Sequence, residues 1–231
     1  MNPAEEFRSL TTPLVADACV RLLGDVRVAP AGLRALLPGS TLAGPSLYVK
    51  HYGSVDVFLE ACDRCRPGDV LVVDNDGRLD EGCLGDLSAL EARAAGFSGI
   101  FIWGAHRDTA DLVRIALPLF SYGSCPAGPV RSEAELVAGP GPRSTSLRVE
   151  DGDWVFADAD GAVFVAGARI EDVMRLARQI YETEREQARL ASTGVTLRRQ
   201  FQWDAYLAKR AADPAYTLRK HLRTVGRAIE E

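Results

Sequence analysis

The apolar positions change period several times along the chain, and each change predicts an element. Thr12-Pro13 opens a run, Leu14-Val15-Ala16-Asp17-Ala18-Cys19-Val20-Arg21-Leu22-Leu23-Gly24, with helical spacing. Thr12 serves as cap, Pro13 takes the first turn and Gly24 stops the helix. From Pro38 to Val49, turn residues surround an extended segment, hence a strand or two, and Val55 to Cys65 returns to helical spacing. Arg66-Pro67-Gly68-Asp69 is a turn that feeds Val70-Leu71-Val72-Val73-Asp74, a continuous apolar run typical of a strand buried on both faces. Asn75 to Gly85 reads as a glycine-bearing loop, able to present successive backbone N–H groups to an anion but without the Gly-Lys-Ser/Thr of a P-loop.

Beyond it, a short helical pattern opens at Asp86, Gly99–Trp103 reads as a second buried strand, and a further helix runs from Thr109 to near Ala116. Leu117–Tyr122 reads as a third strand. Strand, helix, strand, helix and strand in that order predict a parallel sheet with right-handed crossovers. Leu147–Val165 holds two short strands joined at Asp160-Gly161, a hairpin signal. Arg169–Leu190 is a long helix rich in Arg and Glu. The expectation is an α/β fold: one layered α/β/α domain over residues 1–195 around a mostly parallel sheet. Residues 196–231 have apolar positions too sparse for a second domain and suit a helical arm that packs on a partner subunit.

Composition narrows the class. A chain of 231 residues, 47% hydrophobic and 26% charged, can bury one sizeable core. A net charge of −5 argues against a nucleic-acid-binding surface, although the basic cluster Arg219-Lys220-His221-Arg223 suits an acidic neighbour. No apolar run approaches the ~20 residues of a membrane span. The start of the chain is too polar for a signal peptide. Five scattered cysteines read as reduced thiols of a cytoplasmic protein, and Cys62-Asp-Arg-Cys65 lacks the second pair or histidines that a zinc site needs.

The candidate chemistry gathers between Gly85 and Asp111. The loop after the Gly99–Trp103 strand carries His106, Arg107 and Asp108, at the carboxyl edge of a parallel sheet where open α/β proteins bind ligands. Asp86 and Asp108 both stand at helix starts and can face one crevice. Two carboxylates, an arginine and the free amides around Leu84, Gly85, Asp86 and Leu87 are the parts that hold a divalent cation and an anionic substrate. Each aspartate is also what an N-cap requires, and Asp111, three residues after Asp108, makes a weaker variant of the capping box. Arg107 tips the balance, because a cap needs no arginine beside it and a carboxylate-binding site does.

Asp86, twenty intervening residues, then Arg107-Asp108, with Asp111 beyond, resembles the Asp-x20-Arg-Asp signature of metal-dependent aldolases in the RraA-like superfamily. Those enzymes cleave 4-hydroxy-4-methyl-2-oxoglutarate or 4-carboxy-4-hydroxy-2-oxoadipate. The superfamily also contains regulators of ribonuclease E that lack the first Asp. The resemblance extends over most of residues 8–195, including the Pro38–Val49 opening and the Val149–Val165 hairpin.

It implies a class II pyruvate aldolase fold and mechanism. Mg²⁺ or Mn²⁺ would be held by Asp108 and by Asp86, directly or through water, with Arg107 on the substrate's carboxylate or keto oxygen. Oxaloacetate decarboxylation would be a companion activity through the same enolate. It also implies a homotrimer or a dimer of trimers, in which an acid on the C-terminal helix reaches a neighbouring subunit's site. Glu184 matches best, with Glu182 and Glu186 as competitors. Asp17 matches an acid that relatives often carry. His106, where relatives have a small or apolar residue, is a candidate proton donor or a structural histidine, and Trp103 stands where many relatives have an aspartate. The three lysines (Lys50, Lys209, Lys220) lie outside the loops that close the carboxyl edge, although Lys50 ends a strand, so a metal is preferred to a Schiff base as electron sink. The alternatives are a non-catalytic regulator that binds a protein partner such as a ribonuclease, and an enzyme of different substrate on the same metal–enolate site.

Overall fold

The computed structural model describes residues 2–143 and 145–226. In chain order the elements are α1 (Pro3–Phe7), α2 (Thr12–Leu23), β1 (Arg27–Val28), β2 (Arg34–Ala35), β3 (Leu42–Lys50), α3 (Asp56–Arg64), β4 (Val70–Asp74), β5 (Gly82–Leu84) and α4 (Asp86–Ala95). Then follow β6 (Gly99–Trp103), β7 (Ala105–His106), α5 (Thr109–Ile115), β8 (Leu119–Ser121), α6 (Glu133–Ala138), β9 (Trp154–Asp158), β10 (Gly161–Val165) and α7 (Ile170–Ser192). Three short helices close the described chain, α8 (Leu197–Gln200), α9 (Trp203–Ala212) and α10 (Leu218–Val225).

The parallel centre is as expected: β3, β4, β6 and β8 lie side by side, all parallel. Alternation along β4 explains its unbroken apolar run. Leu71 and Val73 enter the core beneath α3, α4 and α5, whereas Val70 and Val72 enter the core on the opposite face. That opposite face is covered not by helices but by the sheet itself. β9 pairs antiparallel with the first half of β3 and brings β10 and β1 with it, so the eight-stranded sheet is mixed and folds over its own centre. Phe101 of β6 meets Phe164 of β10 edge-on at 5.5 Å across this seam. The outer face of β9–β10 then carries α1, α2 and α7 through Phe7, Val15, Phe156 and Val173. Helices therefore lie on both outer sides, with a doubled sheet between them.

Two details of α2 show how the chain is tied. Gly24 ends the helix at φ 70, a left-handed position that suits glycine. Thr12 lies inside the helix rather than capping it; its amide and hydroxyl both donate to the Asp158 carboxylate at 2.7 Å, which fixes α2 to the end of β9. The first hairpin strand begins at Trp154, later than the apolar pattern from Leu147 suggests, because Leu147 and Val149 are buried from an irregular segment. Among the described residues, no helix is long and apolar enough to cross a membrane. All five cysteines are free thiols, and burial raises Cys83 to about 12 and Cys19 and Cys65 to about 11, which leaves them poor nucleophiles at neutral pH.

Candidate active site

Beyond the carboxyl ends of β4 and β6 the backbone builds a second, smaller parallel pair, β5 with β7. The Arg107 amide donates to the Leu84 carbonyl at 2.9 Å, the His106 amide to the Gly123 carbonyl at 3.0 Å, and the Cys125 amide to the His106 carbonyl at 2.8 Å. Gly82 donates to Ala127 at 2.7 Å. Three segments distant in sequence are thereby stitched into one rigid frame, which aims Arg107 and Asp108 at the start of α4.

Asp108 occupies the N-cap position of α5 but does not act as a cap. Its side chain makes no capping hydrogen bond, and its backbone lies at φ 58, ψ 40, a conformation costly for a residue with a Cβ. The carboxylate instead turns back toward α4. A Cβ placed on Gly85 would lie 2.2 Å from Asp108 Oδ2, so only glycine admits the carboxylate there. Arg107 Nε donates to the same oxygen at 3.2 Å, with both side chains partly open to solvent (45% and 34%).

The arginine has its own cleared path. Cβ atoms at Gly82 and Gly85 would press on Arg107 Cβ and Cγ, at 2.7 and 3.2 Å. One at Gly128 would lie 2.8 Å from its guanidinium Nη1. Gly82 and Gly128 were not singled out in the sequence, where nothing distinguishes them from other loop glycines; the structure sets both against Arg107.

Asp86 is the first residue inside α4, with Gly85 as N-cap, so the capping role does not fall to it either. Its carboxylate accepts from the Leu87 amide at 2.8 Å. Leu87 is therefore not a free donor for a substrate, a correction to the expected set of open amides, and the Leu84 carbonyl is occupied by Arg107. Among the described residues no group of three or more His, Cys, Asp or Glu side chains is gathered for a metal. Asp108 lies against Gly85, the residue before Asp86, and a pair of carboxylates there would suit a hard ion that keeps several waters, as Mg²⁺ does, rather than an all-protein cage.

The remaining candidates sort by position. His106 is only 5% exposed, with Nδ1 2.8 Å from Ser121 Oγ and Nε2 3.1 Å from Thr109 Oγ1. Burial lowers its pKa, so it stays neutral and braces the loop rather than facing the crevice as a proton donor. Asp111 points away: it pairs with Arg114 on the exposed side of α5, and the capping box is not formed. Trp103 stacks edge-on against Tyr122 at 4.5 Å and closes over Gly77.

Asp17 and Glu184 lie together, lining a cavity of about 480 Å³ between α2 and α7 with Tyr181 and Arg185; no residue of the Arg107–Asp108 loop lines it. Within one chain neither belongs to the crevice. Lys50 is buried between Asp74 at 3.3 Å and Asp76 at 2.5 Å, with Tyr48 Oη donating to Asp74 at 2.5 Å, which makes it part of a charge network at the end of β3 and β4.

In sequence and in fold the chain is similar to known proteins. A curated relative in Xanthomonas campestris pv. campestris (strain 8004), named "Putative 4-hydroxy-4-methyl-2-oxoglutarate aldolase", is 31% identical over 156 residues, 68% of this chain and 91% of the relative. A relative of the same name in Halalkalibacterium halodurans is 25% identical over 205 residues, 88% of this chain and 93% of its own. Among solved structures, a Streptomyces coelicolor protein described as an unusual member of the RNase ES inhibitor RraA protein family superposes with a TM-score of 0.67 at 26% identity, covering 81% of this chain and 96% of that one. An uncharacterized Pseudomonas syringae protein shares the fold with a TM-score of 0.68 at 24% identity, over 83% of this chain and 92% of that one. The RraA-like family model, Aldolase/RraA, matches residues 12–164, and the chain belongs to that family.

Proposed function

We propose that the chain is a divalent-metal-dependent pyruvate aldolase that cleaves a 4-hydroxy-2-oxo acid such as 4-hydroxy-4-methyl-2-oxoglutarate, with oxaloacetate decarboxylation as a companion activity. One observation carries this reading: Asp108 sits where a cap belongs, yet turns its carboxylate from α5 to the glycine-lined start of α4, beside Arg107. A strained residue held away from its ordinary structural role suits a ligand-binding site. The name carried by the relatives supports the reaction class.

Asp108 and Asp86 would hold Mg²⁺ or Mn²⁺, with water in the remaining positions. When bound, such an ion supplies the electrophile that polarises the 2-oxo group. The planar fork of Arg107 pairs with the substrate's carboxylate or keto oxygen and faces the negative charge that collects there as the C3–C4 bond breaks. The C4 hydroxyl gives its proton to a water held by Arg107 and the two carboxylates, and the electrons of the broken bond remain on pyruvate as its enolate. Protonation at C3 releases pyruvate. Oxaloacetate loses CO₂ through the same enolate, so one site serves both substrates.

The open side of the crevice suits completion by a neighbouring copy in a trimer or hexamer, with Glu184 reaching across. The likeness to an RNase ES inhibitor favours a second reading, a protein-binding regulator. Asp86 weighs against it, since ribonuclease regulators of this superfamily lack that acid. Pyruvate release from a panel of 4-hydroxy-2-oxo acids and oxaloacetate, with and without a chelator, tests the proposal. Metal-restored release on at least one substrate supports it. No release from any, at any metal content, leaves the regulator.

A further inference from the structure

The segment that lies against the Arg107 guanidinium owes its place to one buried ion pair. From Tyr122 to Arg131, between β8 and α6, the chain belongs to no helix or strand. Its first half is bonded to the frame through Gly123, Cys125 and Ala127. Its second half begins with Gly128, the glycine set against Arg107 Nη1. Among the described residues, no backbone hydrogen bond ties residues 128–131 to the frame.

What ties them is the Arg131 side chain. Its guanidinium donates to both carboxylate oxygens of Glu81, Nη1 to Oε2 at 2.8 Å and Nη2 to Oε1 at 2.7 Å. Glu81 is 3% exposed and the Arg131 side chain 13%. Burial alone would raise the Glu81 carboxyl, but the Arg131 fork more than offsets it and holds the group below its ordinary range. Arg78 Nη2, 3.3 Å from Glu81 Oε2, adds a second cation. Gly53, in the loop after β3, makes room for the arginine stem: it has φ 100, and a Cβ there would lie 2.4 Å from Arg131 Cγ.

Three loops, after β3, β4 and β8, therefore meet on this pair. Desolvation of both charges offsets most of their attraction, so its net stabilisation is small. What a two-pronged fork does fix is the relation of the segments it joins, because it admits one orientation. Those segments are the ones that enclose Arg107. Glu81 immediately precedes Gly82, which lies against Arg107 Cβ, and Arg131 follows three residues after Gly128. The ion pair closes the ring.

We propose that Glu81 and Arg131 are positioning residues of the candidate site: their pair holds residues 128–131 against Arg107 and so fixes the direction of its guanidinium. The inference rests on reading Arg107 as the group that grips the 2-oxo acid. Neither residue is assigned contact with substrate; each acts through Arg107.

The test uses full-length protein and two readouts. The first needs no ligand: the rate at which phenylglyoxal modifies Arg107, mapped by mass spectrometry, with the 73%-exposed Arg114 side chain as internal reference. The second is affinity for pyruvate in the presence of manganese, measured beside manganese affinity itself. The double variant Glu81→Gln, Arg131→Met removes the pair without leaving either partner charged and alone. Its Arg107 should react at least about threefold faster relative to Arg114, and pyruvate should bind at least about tenfold more weakly, as a displaced anchor requires. Manganese affinity should be unchanged, because Arg107 is not a ligand. In an Arg107→Lys background, removing the pair should cost no further pyruvate affinity.

A folded double variant with a lower Tm but the wild-type Arg107 rate and pyruvate affinity would overturn the proposal and make the pair structural. Fully additive losses with Arg107→Lys would overturn it as well. If the double variant misfolds, Arg131→Lys decides, since it keeps Glu81 paired and loses only the fork; an unchanged Arg107 rate there overturns the proposal. Wild-type protein that binds no pyruvate, with a faster Arg107 in the variants, would leave the positioning role standing and remove the 2-oxo acid reading.

Discussion

At the scale of single residues the crevice rests on what glycines leave empty. Gly85 has φ −127, ψ −164, which any residue adopts, so its identity is dictated by the Asp108 carboxylate and not by its backbone. Gly85→Ala should therefore displace Asp108 with little cost to folding. Turnover should fall about a hundredfold, the scale of a misplacement near 1 Å, while Tm moves by only a few degrees; a variant with normal turnover would show that Asp108 need not lie against α4. Arg107→Lys keeps the charge and loses the fork. It should weaken inhibition by pyruvate and lower kcat/KM for every 2-oxo acid, with metal affinity unchanged. Lost stability with intact pyruvate affinity would instead make Arg107 structural.

The candidates themselves were legible in the chain: Arg107 and Asp108 by residue type and their place after an apolar strand, Asp86 by its place at a helix start. The left-handed backbone of Asp108 was not, because an aspartate before a helix looks the same whether it caps or turns away. Nor were Gly82 and Gly128, whose meaning depends on a side chain brought near them only by the fold.

At the scale of elements, β4 and β6 were readable because burial on both faces writes an unbroken apolar run. The partner of their inner face was not readable, since a helix and a doubled sheet both ask for the same apolar residues there. The seam makes a direct prediction. Phe101 is fully buried and meets Phe164 across the two sheet layers. Phe101→Ala should cost about 3–5 kcal/mol, read as a drop in the denaturation midpoint at unchanged slope. A cost below about 1 kcal/mol would mean that the layers do not rely on this contact. The helical character of residues 196–231 was expected, but the bounds of α8, α9 and α10 were not, because each is too short to display a period and two of the buried aromatics, Phe201 and Tyr216, lie between helices. Residues 227–231 of the expected arm lie outside the described residues.

At the scale of the whole molecule, stability and chemistry share one charge pattern. His51 and His106 are both buried beside the carboxyl edge, and burial lowers the pKa of each below its ordinary value of 6.5. The unfolded chain then binds protons that the folded chain refuses, so stability is complete above about pH 6.5 and falls on acidification from there toward the folded values. Thermal unfolding at pH 7 and pH 5 should show this loss, and His106→Gln should reduce it. An unchanged pH slope in that variant would show that His106 is protonated without penalty. The same burial that fixes the loop thus makes it acid-sensitive.

Asp108→Asn separates a metal-holding Asp108 from a helix-capping one, because it keeps size and shape while removing the charge. Manganese binding, followed by the loss of the free-ion electron paramagnetic resonance signal, and pyruvate release on the same samples give the most direct measurement. The variant should fold, bind manganese far more weakly than wild type and turn over about a thousandfold more slowly, a loss near 4 kcal/mol of transition-state stabilisation. A folded Asp108→Asn protein with wild-type manganese affinity and turnover would contradict it.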